Sequence, residues 1–423
     1  MIKLLLKAPI LTQSGYGHHS RTVLRALQSR EDLFDIYIQP INWGQTSWLA
    51  DASEERLWID QNIKKTVEFV ASGGKFDASL QVSIPNEWEK LAPVNIGITA
   101  GIETTKVSPQ WIEKSYVVDK IITISKHAKD SFVNTVYEAT NNNTGEKIDF
   151  KTKTSVDYVS YPVYKYDPAD VELDLKTSFN FLSVAQISPR KNVPVLIKNF
   201  VETFRDNEDV GLVLKTNIAK NSLIDRTHTL NNLKNMISSF GEKKCKIYLL
   251  HGRMKDEEMA AVYTNPKIKA FVSTTHGEGF GLPIFEAAYY GLPVIATDWS
   301  GHLDFLYKTS KQKNGKTKNK HMFSRISYNL APIEPEAVWD GVLQKDSMWA
   351  FPEEGSIKMN LEEVYKDHGR FKKRARQLEK WVCKEFSQEK QYSEYVESML
   401  EVLPIGNENE WMNEIESIVK EYE

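Results

Sequence analysis

Cysteine is almost missing from this chain, which has only Cys245 and Cys383 among its 423 residues. Two thiols so far apart in the sequence indicate neither a disulfide framework nor a thiolate metal cluster. The chain also lacks an apolar run long enough to cross a bilayer, and its first residues, MIKLLLKAPILTQ, have too short an apolar core for a signal peptide. We therefore expect a cytoplasmic protein without disulfide bonds or a transmembrane segment.

Neither sign of charge is in large excess, because 54 Lys and Arg residues oppose 57 Asp and Glu residues and leave a net charge of −3. Such a balance gives no overall field that attracts nucleic acid. Residues 308–321, KTSKQKNGKTKNKH, are a local exception with six lysines and no acid. We interpret this segment first as a solvated, mobile loop and second as a nucleic-acid surface.

Short apolar runs alternate with amphipathic helical stretches in both halves of the chain, which is the pattern of doubly wound α/β domains. The predicted strands lie at 2–9, 34–41, 78–84, 94–99 and 120–125, and then at 179–187, 210–217, 245–252, 268–275 and 292–298. We predict two five-stranded α/β domains, residues 1–165 and 166–384, with a linker near 163–177. Residues 385–423 contain two helical patterns and no strand, so we expect them to pack back across both domains.

A glycine-rich turn carries the most specific pattern in the chain. In STTHGEGFGLPIFEAAYYGLPVIATD, residues 273–298, a strand ends near Thr275 and the glycines allow a tight turn with exposed backbone. Pro283 suits the first turn of a helix that begins at about Leu282. The free N–H groups and the positive dipole end of that helix predict a phosphate site above the sheet.

Two glutamates flank this turn: Glu278 lies on the turn itself, and Glu286 lies about one turn into the helix. Carboxylates beside a phosphate site are electrostatically unfavourable unless each binds a neutral polyol. The hydroxyl groups of a ribose and of a sugar would explain both residues. The pattern therefore favours a nucleotide-sugar site over a capped structural helix with incidental acids.

The segment EGFGLP, Glu286 and the continuation EAAYYGLPVIATDWSGHLDFL at 286–306 resemble the donor site of retaining GT-B glycosyltransferases. That group includes relatives of glycogen synthase, sucrose synthase and bacterial mannosyltransferases. The resemblance implies a GT-B fold, in which two Rossmann-like domains enclose a cleft and a C-terminal helix crosses back. It also implies that Glu278 contacts donor-sugar hydroxyls and that Glu286 binds ribose. The distal phosphate would be held by Gly279, Phe280, Gly281 and Leu282.

A departing nucleoside diphosphate needs preorganised positive charge. SVAQISPRKNVPVLIKNF, residues 183–200, resembles the family's motif of an arginine and a lysine separated by four residues. Lys191 occupies the lysine position, whereas the arginine position holds Gln186. The resemblance assigns Lys191 to the diphosphate and leaves two interpretations of the neighbouring Arg190, which either replaces the missing arginine or is a solvated loop charge.

The first domain has its own glycine pair, Gly15 and Gly17, in ILTQSGYGHHSRTVLRAL, residues 10–27, between the first strand and a helix. These glycines fit the start of a dinucleotide fingerprint, but Ser20 stands at the third glycine position. No acid follows the second strand, which further weakens a nicotinamide-enzyme interpretation. The family resemblance instead places both glycines at the donor cleft.

Further residues are candidates by resemblance. His18 or His19 would touch donor or acceptor, and the other would be an ordinary residue of the helix start. Glu103, in TAGIETT after the fourth strand, stands where the family often has a polar residue near the donor sugar. The family reads the nucleobase in loops that here contain Lys215 and Arg253. A surface role is an equally good interpretation of the last two.

No group of His, Asp, Glu or Cys residues has metal-ligand spacing, and an Asp-x-Asp signature is absent from the sequence. The diphosphate would then be held by Lys191, by Arg190 and by the helix N-terminus. We expect an enzyme that needs neither a metal nor a cofactor besides its donor.

Together these patterns predict a retaining glycosyltransferase that moves a sugar from a nucleoside diphosphate to a hydroxyl acceptor: a glycan, a lipid-linked saccharide or a small metabolite. One alternative is a phage-type DNA glycosyltransferase that acts on a hydroxymethylated base. The lysines of 308–321 and the aromatic residues of 41–49 would then contact DNA. Another alternative, motivated by Gln186, is a non-catalytic scaffold on a decayed glycosyltransferase fold.

Overall fold

The computed structural model describes residues 1–44, 46–140, 145–311 and 317–403. The strands are β1 Ile2–Ala8, β2 Phe34–Pro40, β3 Ala78–Val82, β4 Val94–Thr99, β5 Lys120–Thr123, β6 Tyr137–Thr140, β7 Lys147–Phe150, β8 Ser155–Tyr158, β9 Phe179–Val184, β10 Val210–Lys215, β11 Lys246–Leu250, β12 Ile268–Ser273, β13 Val294–Thr297, β14 Tyr307–Lys311, β15 Thr317–His321, β16 Ser324–Ile326, β17 Tyr328–Pro332 and β18 Met348–Pro352. The helices are α1 Gly15–Gln28, α2 Glu54–Ala71, α3 Pro109–Ser115, α4 Lys126–Asn134, α5 Val193–Phe204, α6 Leu223–Ser238, α7 Asp256–Thr264, α8 Leu282–Tyr289, α9 Leu303–Leu306, α10 Glu354–Lys366, α11 His368–Glu385 and α12 Gln388–Leu400.

The N-terminal sheet is parallel throughout and has the strand order β2-β1-β3-β4-β5-β8. Its central strands are rich in apolar residues, and Leu4, Leu6 and Leu80 are fully buried in it, as is typical of parallel sheets covered by helices. The five strands predicted in this half are confirmed. A sixth, β8, was not predicted because this short edge strand buries only Val156 and so lacks an apolar run.

The C-terminal sheet repeats this architecture with the order β11-β10-β9-β12-β13-β16, again with parallel pairing. The five predicted strands of this half are confirmed as well. The prediction of five strands per sheet was wrong by one here too, since the three residues of β16 are too few to show a periodic pattern.

The strand order reverses beside one strand of each sheet, between β1 and β3 and between β9 and β12. Open α/β sheets bind ligands at such reversals, beyond the carboxyl ends of the strands. The loops that leave β9 and β12 carry Lys191 and Glu278, and the loop that leaves β1 opens α1 at Gly15. The topology therefore brings the predicted motifs of each domain to the edge where open α/β sheets bind ligands.

Helix α12 lies on the N-terminal domain, although α11 directly before it packs against α8 of the C-terminal domain. The Tyr395 hydroxyl lies 2.9 Å from Nε2 of His19 and donates to the Val159 carbonyl at 3.3 Å. The predicted crossing helix is thereby confirmed for residues 388–400. The second helical pattern of the tail falls in 404–423, outside the described residues.

A second connection between the domains is the bridging arm, residues 328–352, in which β17 and β18 pair antiparallel and enclose residues 333–347. Val342 near its tip is 5% exposed and packs in the N-terminal cluster that contains Trp88 and Trp111. Ser108 Oγ donates to the Gly341 carbonyl at 2.7 Å. The arm thus fills part of the N-terminal core from the C-terminal half of the chain.

The lysine-rich segment 308–321 was expected to be a mobile loop. The structure instead pairs β14 with β15 as an antiparallel hairpin, and residues 312–316 lie outside the described part of the chain.

Among the described helices, none combines the length and the apolar character needed to cross a membrane.

Candidate active site

Glu278 is the centre of an ion cluster at the β9–β12 reversal. Its carboxylate, in a residue only 6% exposed, accepts from Lys191 Nζ at 2.6 Å and 2.8 Å and from Arg190 Nη1 at 2.9 Å. The backbone of Glu278 is also held in place, because the Glu278 N–H donates to Oγ of Ser300, which follows β13, at 2.8 Å. Both cations come from the loop after β9, so the two loops that flank the reversal are joined through this carboxylate.

These contacts fix the charge of Glu278. Burial alone raises the pKa of the carboxyl group, but the charges and hydrogen bonds of Lys191 and Arg190 together outweigh burial and lower the pKa to about 2. The pKa of Lys191 is lowered, first by burial and then by the Arg190 charge, against the opposing effect of Glu278. The pKa of Arg190 is raised, because Glu103 and Glu278 together outweigh its burial. Glu278 is therefore a carboxylate at every physiological pH.

Glu103 extends the cluster into the N-terminal domain, because its Oε1 lies 3.3 Å from Arg190 Nη1. Its carbonyl accepts from Trp299 Nε1 at 3.2 Å. A Cβ atom built on Gly277 would lie 2.8 Å from the same carbonyl. Two carboxylates and two cations, contributed by both domains, thus meet between the domains.

The four residues of the predicted phosphate turn, 279–282, have different structural roles. Gly281 has a φ of +93°, and a Cβ atom on Gly279 would lie 2.6 Å from the Ala100 carbonyl of the other domain, so both positions require glycine. Phe280 is buried with its ring 5.0 Å from that of Tyr161, which makes it a core residue. Leu282 begins α8, as the sequence predicted, and lines the cavity beside that helix.

Glu286 lies in α8 and faces a small cavity of about 80 Å³ between the domains. Tyr263 donates its hydroxyl proton to Glu286 Oε2 at 2.6 Å. Burial raises the pKa of Glu286 to about 7, with Tyr263 acting against the shift and Asp256 adding to it. His18 of α1 lines the same cavity, and its burial, reinforced by Arg21 and Arg25, lowers its pKa to about 3. The cavity therefore combines a neutral imidazole with a carboxyl group that ionises near neutral pH.

The remaining N-terminal candidates, Gly15, Gly17 and His19, differ in how deeply they are buried. Gly15 is exposed at the start of α1, and a Cβ atom there would meet nothing within 4 Å. Gly17 is buried, and a Cβ atom there would lie 2.0 Å from the Thr12 carbonyl, so this glycine is required by packing. His19 is fully buried beside Tyr395, which agrees with an ordinary helix-start residue.

The candidates for nucleobase contacts lie in two neighbouring loops. Lys215 Nζ donates to the Gly252 carbonyl at 2.6 Å and so joins the loops after β10 and β11. Arg253 lies 3.7 Å from Asp51 of the N-terminal domain and is about half exposed. Gln186, at the expected arginine position, donates to the Ile218 carbonyl at 2.7 Å. The side chain of Gln186 thus holds a loop rather than extending into the ion cluster.

Sequence reasoning missed three residues of the site. Tyr263, which binds Glu286, lies in α7 without any local motif. Ser300 has a φ of +81° and accepts from Glu278 N, although no sequence rule placed it there. Trp299 was quoted only as part of a motif. Among the described residues, no group of three or more His, Cys, Asp or Glu side chains is arranged to hold a metal ion.

Comparisons with known proteins find similarity to glycosyltransferases over part of the sequence. Residues 170–325 match the family "Glycosyl transferases group 1". Over 119 residues, 28% of this chain, the sequence is 29% identical to the serotype-specific mannosyltransferase WbdA of Escherichia coli. Over 127 residues, 29% of this chain, it is 31% identical to a probable sucrose-phosphate synthase of Solanum tuberosum. The matches span only 13% and 12% of those two relatives.

Similar solved structures cover nearly the whole chain. The Anabaena Alr3699/HepE complex with UDP and glucose superposes with a TM-score of 0.60 at 12% identity, over 95% of this chain and 100% of that one. A sucrose-phosphate synthase of Thermosynechococcus elongatus gives a TM-score of 0.58 at 12% identity, over 95% and 99% of the two chains.

The two parallel sheets and the crossing helix define the class: this protein has the GT-B glycosyltransferase fold. Within it, residues 170–325, which hold Lys191, Glu278 and Glu286, are the part that matches the glycosyl transferases group 1 family.

Proposed function

We propose that this protein is a retaining glycosyltransferase, which transfers a sugar from a nucleoside diphosphate to a hydroxyl group of an acceptor bound in the interdomain cleft. The observation that carries the proposal is the ion cluster of Glu278, Lys191 and Arg190 at the β9–β12 reversal, beside the N-terminus of α8. A scaffold protein has no need to bury two cations against one carboxylate at a ligand-binding edge, where burial of charge costs free energy.

In this proposal the two cations change partners when the donor binds. Lys191 and Arg190 turn from Glu278 towards the diphosphate, whose charge is larger than that of a carboxylate. Glu278 is then free to accept hydrogen bonds from the hydroxyls of the transferred sugar. Its low pKa, set by Lys191 and Arg190, keeps it ionised until the donor arrives. Gln186 occupies the position of the motif's arginine. In this proposal Arg190 supplies the positive charge that the missing arginine would give.

The reaction breaks the bond between the anomeric carbon and the phosphate oxygen and forms a bond from that carbon to the acceptor oxygen on the same face of the sugar. The acceptor's proton passes to an oxygen of the departing diphosphate. Lys191 and Arg190 stabilise the charge that develops on this leaving group. No strong protein base is required, which agrees with a His18 imidazole held neutral by its low pKa. Orientation and electrostatic stabilisation then supply most of the rate enhancement.

The nucleoside end of the donor belongs, in this proposal, to the cavity beside α8. Glu286 faces that cavity and in its ionised form accepts from the ribose hydroxyls, while Tyr263 fixes the orientation of its carboxyl group. Similarity to a structure that contains UDP makes a uridine donor a reasonable first test. Metal independence also belongs to the proposal, supported by the two cations beside the N-terminus of α8.

The test is release of free nucleoside diphosphate from a panel of nucleotide sugars, with pooled glycan, lipid-linked, small-molecule and hydroxymethylated-DNA acceptors. We expect release from one donor, and we expect Lys191→Ala and Glu286→Ala each to abolish it. Lys198→Ala is the matched control, because Lys198 pairs with Glu354 on the exposed face of α5 and should keep full activity. If the folded wild-type protein releases and binds no nucleotide at all, the scaffold alternative replaces this proposal.

A further inference from the structure

Asp225, in the first turn of α6, binds more hydrogen-bond donors than any role in helix capping requires. Its carboxylate is only 8% exposed. It accepts from three successive backbone N–H groups: those of Ile218 at 3.1 Å, Ala219 at 2.7 Å and Lys220 at 2.7 Å. These three residues belong to the loop that leaves β10. A single carboxylate therefore fixes the backbone of that loop over three consecutive residues.

Two side chains from other elements complete this arrangement. Thr229 Oγ1 of α6 donates to Asp225 Oδ1 at 2.9 Å, and His251 Nε2, directly after β11, lies 3.0 Å from the same oxygen. Because an ionised carboxylate only accepts, His251 donates here. Burial alone raises the pKa of Asp225, but the backbone donors of the loop and His251 reverse the shift and lower it well below its usual range. Asp225 is thus a permanent anion that joins β10, β11 and α6.

The loop held by Asp225 is also held from the β9 side. Gln186 Nε2 donates to the carbonyl of Ile218, and Ile187 N donates to the carbonyl of Asn217 at 2.9 Å. The segment that carries Gln186 continues directly to Lys191 of the ion cluster. The loop after β10 therefore has a fixed position relative to the predicted diphosphate site.

The same loop borders the predicted nucleoside site. Lys215 connects it to Gly252, and the loop after β11 leads straight into Asp256, which lines the cavity that Glu286 faces. With the ribose at Glu286 and the phosphates at Lys191, as proposed above, we place the base along this edge of the sheet. The loops after β10 and β11 are the elements that stand there.

We infer that Asp225 is the positioning residue for recognition of the donor's nucleobase. By fixing the N–H groups of residues 218–220, it holds the loop after β10 in one conformation, and through His251 it sets that loop against the loop after β11. The base then meets a loop of fixed shape, and a preformed shape admits one base better than another. This inference rests on the proposed donor specificity of the site.

The sharpest variant is Asp225→Asn, which keeps the size and removes the charge. The amide nitrogen of asparagine cannot accept a hydrogen bond from the N–H groups that face it. The loop after β10 therefore loses some of the hydrogen bonds that hold it. The matched control is Asp119→Asn, because Asp119 likewise binds a backbone N–H, that of Asn95 at 2.7 Å, in the N-terminal sheet far from this loop.

The experiment measures binding of UDP, GDP, ADP and CDP to the full-length wild type and both variants by calorimetry, together with donor kinetics and thermal unfolding. For Asp225→Asn we expect at least a tenfold weaker affinity for the preferred diphosphate and at least a fivefold loss of discrimination between bases. We expect KM for the donor to rise and kcat to change less than twofold, because Asp225 touches no reacting atom.

Each other outcome overturns the inference. An Asp225→Asn variant that folds and keeps both affinity and base discrimination shows that the loop needs no such anchor. A variant that loses kcat at unchanged KM shows a role in the chemical step instead. If Asp119→Asn loses affinity and base discrimination equally, the effect of Asp225→Asn is one of general stability and not of the loop. If the wild type itself binds no nucleoside diphosphate, the proposed function fails first, and this result is distinct from a failure of Asp225 alone.

Discussion

Lys191 Nζ lies 2.6 Å and 2.8 Å from the two carboxylate oxygens of Glu278, so the predicted phosphate ligand and the predicted sugar ligand bind each other in this structure. Neither residue is left as an unpaired buried charge when the site holds no donor. The pairing keeps both side chains ordered at the place where the donor is proposed to bind.

The first prediction concerns this pair. Glu278→Gln leaves Lys191 and Arg190 buried without their central carboxylate, and we expect it to lower the free energy of unfolding by about 3 kcal/mol. Adding Lys191→Met should restore part of that loss, because the second change removes one uncompensated charge. Urea unfolding of the two single variants and the double variant measures this coupling. Strictly additive losses would show that the two side chains do not stabilise each other.

The second prediction concerns Glu286, whose pKa of about 7 in the folded protein exceeds its ordinary value. A carboxyl group with a raised pKa favours the folded state below its unfolded pKa, and this contribution is lost as the pH rises from about 4.5 to about 7. Glu286→Gln cannot ionise, so we expect it to unfold at a higher temperature than wild type at pH 8 and at nearly the same temperature at pH 4.5. Equal differences at both pH values would contradict a raised pKa.

The same titration predicts the pH dependence of donor affinity. Ionised Glu286 is the better acceptor for ribose hydroxyls, so wild-type binding of the nucleoside diphosphate should strengthen as the pH rises through about 7. In Glu286→Gln the rise should disappear. Calorimetric titrations from pH 5.5 to pH 8.5 separate this effect from the titration of the phosphate itself, because both proteins share the latter.

The third prediction compares the two glycines at the start of α1. Gly17→Ala forces a Cβ atom to within 2.0 Å of the Thr12 carbonyl, so we expect a loss of about 2 kcal/mol or more in the free energy of unfolding. In Gly15→Ala the added Cβ atom has nothing within 4 Å, so the free energy of unfolding should stay unchanged. A change in donor or acceptor kinetics with Gly15→Ala would then support its predicted place at the cleft. Equal stability of the two variants would contradict the packing argument.

The fourth prediction concerns the bridging arm. Val342→Asp places a charge inside the cluster of Trp88 and Trp111, and we expect it to release residues 333–347 and to lower stability by about 2 to 4 kcal/mol. Leu330→Asp is the control, because Leu330 is 40% exposed on the same arm. Limited proteolysis should cleave Val342→Asp within the arm and spare the control. Identical cleavage of both would show that Val342 does not anchor the arm.

The fifth prediction concerns metal ions. If Lys191 and Arg190 neutralise the diphosphate, turnover should persist in excess EDTA at more than half of its untreated rate. Adding Mg²⁺ should then change the rate little, whereas Arg190→Ala should lower kcat at least a hundredfold. Loss of turnover in EDTA that Mg²⁺ restores would assign the charge stabilisation to a metal ion.

The fold could be predicted from the sequence because buried parallel strands have a strong signal. Each of the ten predicted strands is an apolar run, whereas β8 and β16 are short edge strands that bury few residues. The helix start at Leu282 was likewise predictable from the glycines and Pro283.

The site was predictable only where a motif is local. Glu278, Glu286 and Lys191 stand in recognisable segments, whereas the contact of Tyr263 with Glu286 joins residues 23 positions apart on different helices. The role of Gln186 was not predictable either, since its partner Ile218 is 32 positions away. Contacts of this kind depend on the assembled sheet, and no window of sequence contains both partners.

The bridging arm and α12 have a consequence for the order in which this chain folds during synthesis. Ser108 is joined to a residue 233 positions later in the chain, and His19 to one 376 positions later. When the N-terminal domain has left the ribosome, the residues that close two of its hydrophobic clusters have not yet been translated. Part of its apolar surface stays uncovered until Val342 and α12 have emerged, so the N-terminal domain is completed only after the C-terminal sheet has been made.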